Sequence, residues 1–566
     1  APEATPTFEP IPTTDHNSTP TPTLNPAPTL PRRRGRPRKH ALKLNLTPKP
    51  TPDRAPTDEE PVLPNFSPKR SPGPQLRADA TYTSLQLFQL FFTNSAVKTI
   101  VRNTNSNAEK KVKAGKLFIW VPLTVAEFYS YVALVLYMGL VKAKSIADYW
   151  ARKQMYNFSY PQSIMSQARF QAITWNLYLC DPQEDEKNNK KKGTAGCDRL
   201  LKIKPLYTDV LSACRKHFHP NREILVDERM VATKARIGFK RYMDDKPTKW
   251  GYKLFVLADS SCGYTWNFFV YEGKTSTSSG KGAGYDSVMR LMDHKVLGKG
   301  YRLYMDNFYT SPTLFLDLLQ NGILACGTLR HAFSLPKAND LSGRSELGSI
   351  RWCRQGPLLF VKWMEAREVL MCSSIHKAFT GDTVSRNAKG SDGVWRTRLI
   401  PVPTTVKDYS KYMGGVDLSD SLTEHYNILQ KTTKWYKTFF FHFLDIAVVN
   451  SFILHQELAK AQNKVPLYHK LFRETLVSEL AHPSTSATPV STRSSPPASP
   501  AQTERCYPEY FGSDATHGRR VCVMCKIQGN KVKTPIYCSH CKVALCFVSS
   551  RNCFKKWHMD YHLEDL

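Results

Sequence analysis

The chain has 566 residues, 41% of them hydrophobic, with 79 Lys and Arg against 48 Asp and Glu and a formal net charge of +31. That length and apolar content suffice for a large core and roughly two to four domains. The charge points to a polyanion over a merely solvated, soluble surface, since a basic surface releases condensed counterions from DNA and binds it without regard to sequence. Of the 14 cysteines, six lie between Cys522 and Cys553 and the rest are scattered, which argues for a local metal site in a reducing compartment and against a disulfide framework. No signal-peptide pattern or membrane span is evident. The longest apolar run, from Phe128 to Val141, is shorter than the about 20 residues a bilayer requires and reads as a buried helix.

Residues 1 to about 76 are dense in Pro and Thr and poor in aromatics, so they are expected to form a disordered tail. Within it, PRRRGRPRKH reads as a nuclear-localisation run. Its centre, Arg34-Gly35-Arg36-Pro37, resembles an AT-hook, in which Arg34 and Arg36 lie in the narrow minor groove of A·T-rich DNA. From about 80 to 222, SLQLFQLFFTNSAVKTIV and LTVAEFYSYVALVLYMGLV repeat apolar residues every three or four positions and predict an all-helical region. The stretch 181–196 inside it, DPQEDEKNNKKKGTAG, reads as a charged, solvated loop.

From 223 the pattern changes to short runs rich in Val, Phe and Tyr: EILV, YKLFVLADS and TWNFFVYEG, three consecutive strands. Helix at 284–298, strand at 301–308, helix at 311–322 and strand at 323–329 complete the order βββαβαβ over 223–330. That is the order a ribonuclease H-like core requires. It places Asp227 on the first strand and Asp306 at the end of the fourth, on neighbouring strands. Residues 331–410 interrupt with short strand-like pieces and predict an inserted β-rich subdomain. Helix resumes over 411–475, with Asp417 and Asp420 three apart on one face. Carboxylates at strand ends converge on hard cations, and two such cations about 4 Å apart activate one phosphodiester oxygen and stabilise another. Singly, each acid is as well explained by structure: Asp306-Asn307 by a turn, Asp417 and Asp420 by a helix N-terminus. Trp435 with Lys431, Lys434 and Lys437 makes a basic, aromatic segment suited to a DNA backbone or an unstacked base, although Trp435 beside FFFHF also suits the core.

Residues 482–505 are rich in Pro, Ser and Thr and read as a linker to a small domain at 506–566. That domain offers Cys522, Cys525, Cys538, Cys541, Cys546, Cys553, His558 and His562, eight ligands of the type that structural zinc takes in fours. Order alone suggests a cross-brace for two zinc ions: Cys522 and Cys525 with Cys546 and Cys553, and Cys538 and Cys541 with His558 and His562. With so little core, zinc binding would also be folding. Cys506 and His517 fall outside both sets.

EILVDERM, KPTKWGYK, YMDNFYTS, CGTLR and YMGGVDLSDSLTEHYNILQKTTKWYKTFFFHFLDIAVVNSFI resemble the piggyBac-type transposases and their domesticated relatives, over about 80–475 and again in the cysteine-rich segment. The resemblance implies a ribonuclease H-like catalytic domain with an inserted β domain, dimerisation and DNA-binding helices from both sides of the core, and cut-and-paste transposition of double-stranded DNA at TTAA targets. It implies that Asp227, Asp306 and Asp417 hold magnesium or manganese, with Asp420 a further acid at the site. Arg330 and Trp435 then fall near the active site and DNA, and Phe333 stands where the founding member is basic. It also implies a cysteine-rich domain that recognises transposon-end DNA. Three expectations compete: a nuclear, homodimeric, metal-dependent transposase; a domesticated derivative that binds DNA without cutting it; and a chromatin adaptor whose zinc domain and AT-hook carry the function.

Overall fold

The computed structural model describes residue 58 and residues 61–482 apart from 153–156, 234, 236–237, 239, 245, 274–278, 331–345, 390–394 and 429–431, and residues 508–560 apart from 513–515, 540 and 549. The chain divides into two compact units, Ala1–Pro483 and Ser484–Leu566. Arg34, Arg36, Lys431, Phe333 and Cys506 lie outside the described residues.

The first unit is built on a nine-stranded sheet. Its strands are β1 (Glu223–Ala232), β2 (Lys240–Tyr242), β3 (Trp250–Asp259), β4 (Thr265–Val270), β5 (Arg302–Met305), β6 (Leu324–Thr328), β7 (Ile350–Gln355), β8 (Leu358–Met364) and β9 (Glu368–Ser373). They lie in the order β7-β8-β9-β6-β5-β1-β3-β2, with β4 also paired to β3. Strands β1, β5 and β6 run parallel to their neighbours in that trio, whereas β3 is antiparallel to β1 and β4 to β3. The sheet is buried on both faces, which its near-continuous apolar runs require: all six residues of β4 and all seven of β8 are buried.

The expected β-rich insertion is largely continuous with the main sheet. Its strands β7, β8 and β9 extend the main sheet, because β9 pairs with β6 from Cys326↔Ser373 to Thr328↔Met371. Among the described residues of the insertion, β10 (Thr383–Lys389) and β11 (Trp395–Pro401) stand apart, as a two-stranded ribbon.

Helices cover the sheet. Among them are α1 (Ser84–Gln89), α2 (Asn94–Lys113), α3 (Val125–Leu140), α4 (Pro182–Lys190), α5 (Lys204–His217), α6 (Gly415–His425), α7 (Trp435–Ala461) and α8 (His469–Ala481). Thr83, Thr93 and Thr124 cap α1, α2 and α3, each accepting a backbone N–H of the first turn. Helix α4 occupies the stretch read as a loop. Asp181 caps it, Pro182 starts it, Glu184 and Asp185 sit in its first turn, and Lys187 and Lys190 in its last, so capping and the helix dipole outweigh its polar composition.

Helix α7 is the central rod and, by length and composition, the one helix among the described residues apolar enough to cross a membrane. Here it is core, with 94% of its most apolar window buried. Phe439 stacks on Tyr252 of β3 at 4.8 Å between centroids. Asn450 acts as a spliced-in peptide group, accepting the Thr265 N–H at 3.0 Å and donating to the Thr265 carbonyl at 2.9 Å.

The segment from 61 to 76, assigned to the tail on composition, is strapped across the unit. Ser67 and Pro68 pair with Lys299 and Gly298, and Gly73 and Pro74 with His219 and Phe218. Arg70 donates to the carbonyls of Arg215 and Lys216. Asp58 takes both the Arg354 guanidinium at 2.9 Å and the Ala378 N–H at 2.8 Å. Gly300, at φ +79°, leaves the strap its room: a Cβ there would meet the Asn65 carbonyl oxygen at 2.5 Å. Composition missed the strap because its hydrogen bonds to the rest of the unit come mainly from backbone and Arg70.

Asp445 of α7 is 1% exposed. Burial pushes its carboxyl up to about 8, opposed by Arg473 and the Ile428 backbone. The native state therefore holds a proton that the unfolded chain releases above the ordinary value of 3.8. This contribution to stability is full below that value and is lost as pH rises through about 8. Asp445→Asn should flatten the fall in melting temperature between about pH 5 and 8. An unaltered fall would place the pH dependence on other groups.

Candidate functional site

The site begins with register. Val226 of β1 is the parallel partner of Met305 of β5. One residue further, Asp227 and Asp306 stand side by side on strands about 4.8 Å apart. Asp227 is buried; its Oδ1 accepts the Glu228 N–H at 2.7 Å and its Oδ2 the Lys246 ammonium at 2.7 Å. Asp306 follows the last residue of β5 and its Oδ1 accepts the Phe308 N–H at 2.9 Å.

Helix α6 brings the third aspartate. It lies against β1 and β3 because Gly415 permits it: a Cβ there would meet Leu225 Cδ2 at 2.5 Å and the Asp259 carbonyl oxygen at 2.8 Å. Asp417, in the first turn of α6, is exposed and close enough to raise the Lys246 pKa.

Burial disfavours the charge of Lys246, yet Asp227, Asp417 and Glu228 together raise its pKa above the usual lysine value. Burial raises the Asp306 carboxyl, and Asp227 adds to the rise, against the Phe308 N–H, Lys246 and Lys253. Glu228 is likewise raised, chiefly by burial, though its Oε1 accepts from Lys253 Nζ at 2.8 Å. The acids crowd one another and call for positive charge. Here Lys246 stands in for a cation, and the donor set of hard carboxylate oxygens suits magnesium or manganese chemistry. The three aspartates share this neighbourhood without closing to within 4.8 Å of one another as a set.

Asp420 has another task. It pairs with Arg229 Nε at 2.5 Å, and Arg229, 3% exposed, also donates to Ser419 Oγ at 2.9 Å and Thr265 Oγ1 at 3.3 Å. Asp420 thus belongs to the clamp that holds α6 on the sheet; burial raises its carboxyl, Arg229 and Lys246 oppose the rise and Asp227 adds to it, so it shares the neighbourhood of the other acids. Glu228, Arg229, Lys246 and Lys253 were all missed from sequence. The signal available was the charged string DER after an apolar strand and the lysines of KPTKWGYK, which alternation alone does not aim at the aspartates.

Arg330 is exposed, with its Nε 3.4 Å from Asn307 Oδ1, next to Asp306. At the start of α7, Trp435 is half-buried, edge-on to Phe439 with centroids 6.0 Å apart. Lys434 is exposed beside it. Lys437 corrects the sequence reading: it is 6% exposed and turned inward, donating to the carbonyls of Thr174 and Trp175. Burial, with Lys111 and Lys434 nearby, lowers its pKa to about 7.

In the second unit, the sulfurs of Cys522, Cys525, Cys546 and Cys553 lie within 4.8 Å of one another. Cys525 Sγ is 3.8 Å from that of Cys546 and 3.7 Å from that of Cys553. These are the edges of a tetrahedron whose corners stand about 2.3 Å from its centre, the thiolate–zinc distance, and far too long for disulfides. Cys538 is buried and its sulfur accepts the Cys541 N–H at 3.4 Å, with Lys542 at φ 56° completing the turn. The side chains of His558 and His562 lie outside the described residues.

A family model described as transposase IS4 matches residues 83–452. The chain belongs to the piggyBac-type transposase family. Human piggyBac transposable element-derived protein 3 is 25% identical over 408 residues, 70% of this chain and 64% of the relative. Its human namesakes 2 and 5 are 24% and 22% identical, over 61% and 77% of their lengths. The chain thus spans under two thirds of two of these relatives. A piggyBac transposase solved in a synaptic complex with hairpin DNA shares the fold, with TM-score 0.62 and 21% identity, over 85% of this chain and all of that one.

In this transposase-family geometry, Arg229→Met leaves Asp420 unpaired and should destabilise the first unit by about 2 kcal/mol, below the value for a fully buried pair because the Asp420 side chain is 30% exposed. Adding Asp420→Asn should recover part of that loss in thermal unfolding; strict additivity of the two changes would mean that the pair contributes no coupling. For the second unit, Cys546→Ser or a strong chelator should unfold residues 508–560 while the first unit melts unchanged, read by proteolysis. Retention of a protease-resistant second unit after chelation would remove the metal from its folding.

Proposed function

We propose that the chain is a cut-and-paste DNA transposase. In this reading it acts in the nucleus as a homodimer, excises DNA bounded by terminal inverted repeats and inserts it at TTAA sites. The carrying observation is the placement of Asp227 and Asp306 on adjacent parallel strands, with Asp417 brought over them by α6. The strand order β4-β3-β1-β5-β6, antiparallel in its first half and parallel in its second, supports a ribonuclease H-like core. The net charge of +31 supports DNA as partner, as does the hairpin DNA of the structurally similar complex.

Asp227, Asp306 and Asp417 would hold divalent cations, magnesium or manganese. Bound there, such ions polarise phosphodiester oxygens and make a water or a DNA 3′ hydroxyl a better nucleophile. The remaining tasks fall to the chain itself. Arg229 and Asp420 hold α6, and hence Asp417, at a fixed height over β1. Lys246 balances Asp227 and has to yield its place as cations enter. Arg330 and Lys434, both exposed, are positioned to meet the DNA backbone. In the second unit we read the four-cysteine set as a structural zinc site, with a second zinc on Cys538, Cys541, His558 and His562. Arg34 and Arg36 fit a minor-groove contact and the surrounding run a nuclear address.

The second reading is a domesticated protein that binds DNA without cutting it, favoured by the human relatives being named as transposable element-derived proteins. An excision assay on DNA carrying cognate repeats flanked by TTAA separates the two. Excision by the intact chain that falls to background in Asp306→Ala supports the transposase. Binding to the repeats with no strand cleavage in magnesium or manganese supports the domesticated reading.

A further inference from the structure

Beyond its root, where Ile400 and Val384 meet the core, the ribbon of β10 and β11 stands out from the sheet. The five residues Trp395 to Leu399 are all exposed, on both faces of the strand. Register places Arg386 directly opposite Arg398, with Arg396 two positions along on the same face. Like charges directly opposite each other destabilise a strand pair. Arg386 has Glu365 at 2.5 Å, whereas Arg398 makes no ion pair among the described residues. The other face carries Trp395, 67% exposed, and Leu399, 71% exposed, with a Thr397–Asn387 hydrogen bond of 2.9 Å between them.

The root of the ribbon is firm. Trp363 of β8 donates its indole N–H to the Pro401 carbonyl at 2.9 Å, and Val402 N–H to the Asp382 carbonyl at 3.0 Å. Ile400 is buried. A ribbon so anchored, with Arg386, Arg396 and Arg398 on one face and Arg398 without an ion pair among the described residues, is organised for an external anion. Two residues along a strand span about 6.7 Å, comparable with the separation of successive phosphates on a DNA strand. Antiparallel ribbons are an established shape for lying along or within a groove of duplex DNA.

We infer that the β10–β11 ribbon is a DNA-docking surface, with Arg396 and Arg398 set against backbone phosphates of the duplex and binding it without regard to sequence. This rests on the DNA-binding reading above and adds a docking surface separate from the aspartate cluster. The ribbon lies in the insertion, and its chain runs directly into the helix Thr404–Tyr412 and then α6. Duplex held by the ribbon is therefore tied through one continuous segment to the element that carries Asp417.

The test uses the full chain and a labelled duplex of random sequence, with binding followed by fluorescence anisotropy from about 50 to 200 mM salt. Arg396→Gln/Arg398→Gln should weaken binding at low salt and reduce the slope of log affinity against log salt by about 1.8, which is about 0.9 for each phosphate no longer neutralised. Arg396→Lys/Arg398→Lys should keep the slope, and both variants should melt like the wild type. Wild-type binding with an unchanged slope in the Gln variant overturns the ribbon inference and leaves the DNA-binding reading standing. Absence of salt-dependent binding by the wild type overturns both. Loss of self-association in sedimentation, with the slope unchanged, reassigns the ribbon to pairing between copies of the chain and also overturns it.

Discussion

Parallel pairing of β1 with β5 is the constraint on which the candidate site depends. Two chain segments about 80 residues apart in sequence meet because Val226 and Met305 share a register, and a slip of one position would turn one aspartate to the other face of the sheet. Such pairs form only when both faces are covered, since parallel strands have no solvent-facing side. Helix α7 supplies one cover, by aromatic stacking on β3 and by the two hydrogen bonds of Asn450 to Thr265. The apolar rod that resembles a membrane span therefore packs on the face of the sheet that carries Asp227 and Arg229, because Tyr252 is the partner of Val231.

On that same face, charge adds to what packing does. Arg229 projects from β1 two residues beyond Asp227, so both side chains face α6. It grips Ser419 and Asp420, one residue apart, and so fixes the rotation as well as the height of the helix. Asp417, three residues before Asp420, is turned to the same side. The clamp is thus the reason that an exposed first-turn aspartate has a defined place relative to two strand aspartates. Burial, with a lesser share from mutual repulsion among the acids, is the cost of that placement, visible in the raised carboxyls of Asp306 and Glu228 and offset in part by Lys246 and Lys253.

Much of this was legible in the sequence. Short apolar runs separated by helical periodicity yielded the strand and helix order around Asp227 and Asp306, because a strand buried on both faces has few other ways to be written. Asp417 was legible as a helical acid, and its place at the site came from the family resemblance; the close approach of Gly415 beside it was not read. What escaped has physical reasons. The 61–76 strap is Pro-rich and held by backbone hydrogen bonds, which composition does not record. Helix α4 is stabilised by its caps and dipole, which a charge count reads as solvation. Strands β7 to β9 join the main sheet through pairing across some 45 residues of sequence, a distance over which periodicity is silent. Lys437 appeared as one of three alike lysines, and only the carbonyls of Thr174 and Trp175 distinguish it.

The molecule combines opposite electrostatic demands. The chain is strongly cationic, while its candidate site gathers Asp227, Asp306 and Asp417 against Lys246, two negative charges in excess, with the Glu228–Lys253 pair on the opposite face of β1. A polyanion drawn to the first would be repelled by the second. Small hard cations resolve the conflict, because they neutralise the pocket and bind phosphate oxygens at once. A lysine lodged on Asp227 keeps the pocket tolerable to the fold before such ions enter, and its long, flexible stem lets it withdraw without moving the sheet. The proposed DNA chemistry, the raised carboxyls and the basic surface thus follow from one arrangement: a local negative charge held open inside a positive chain.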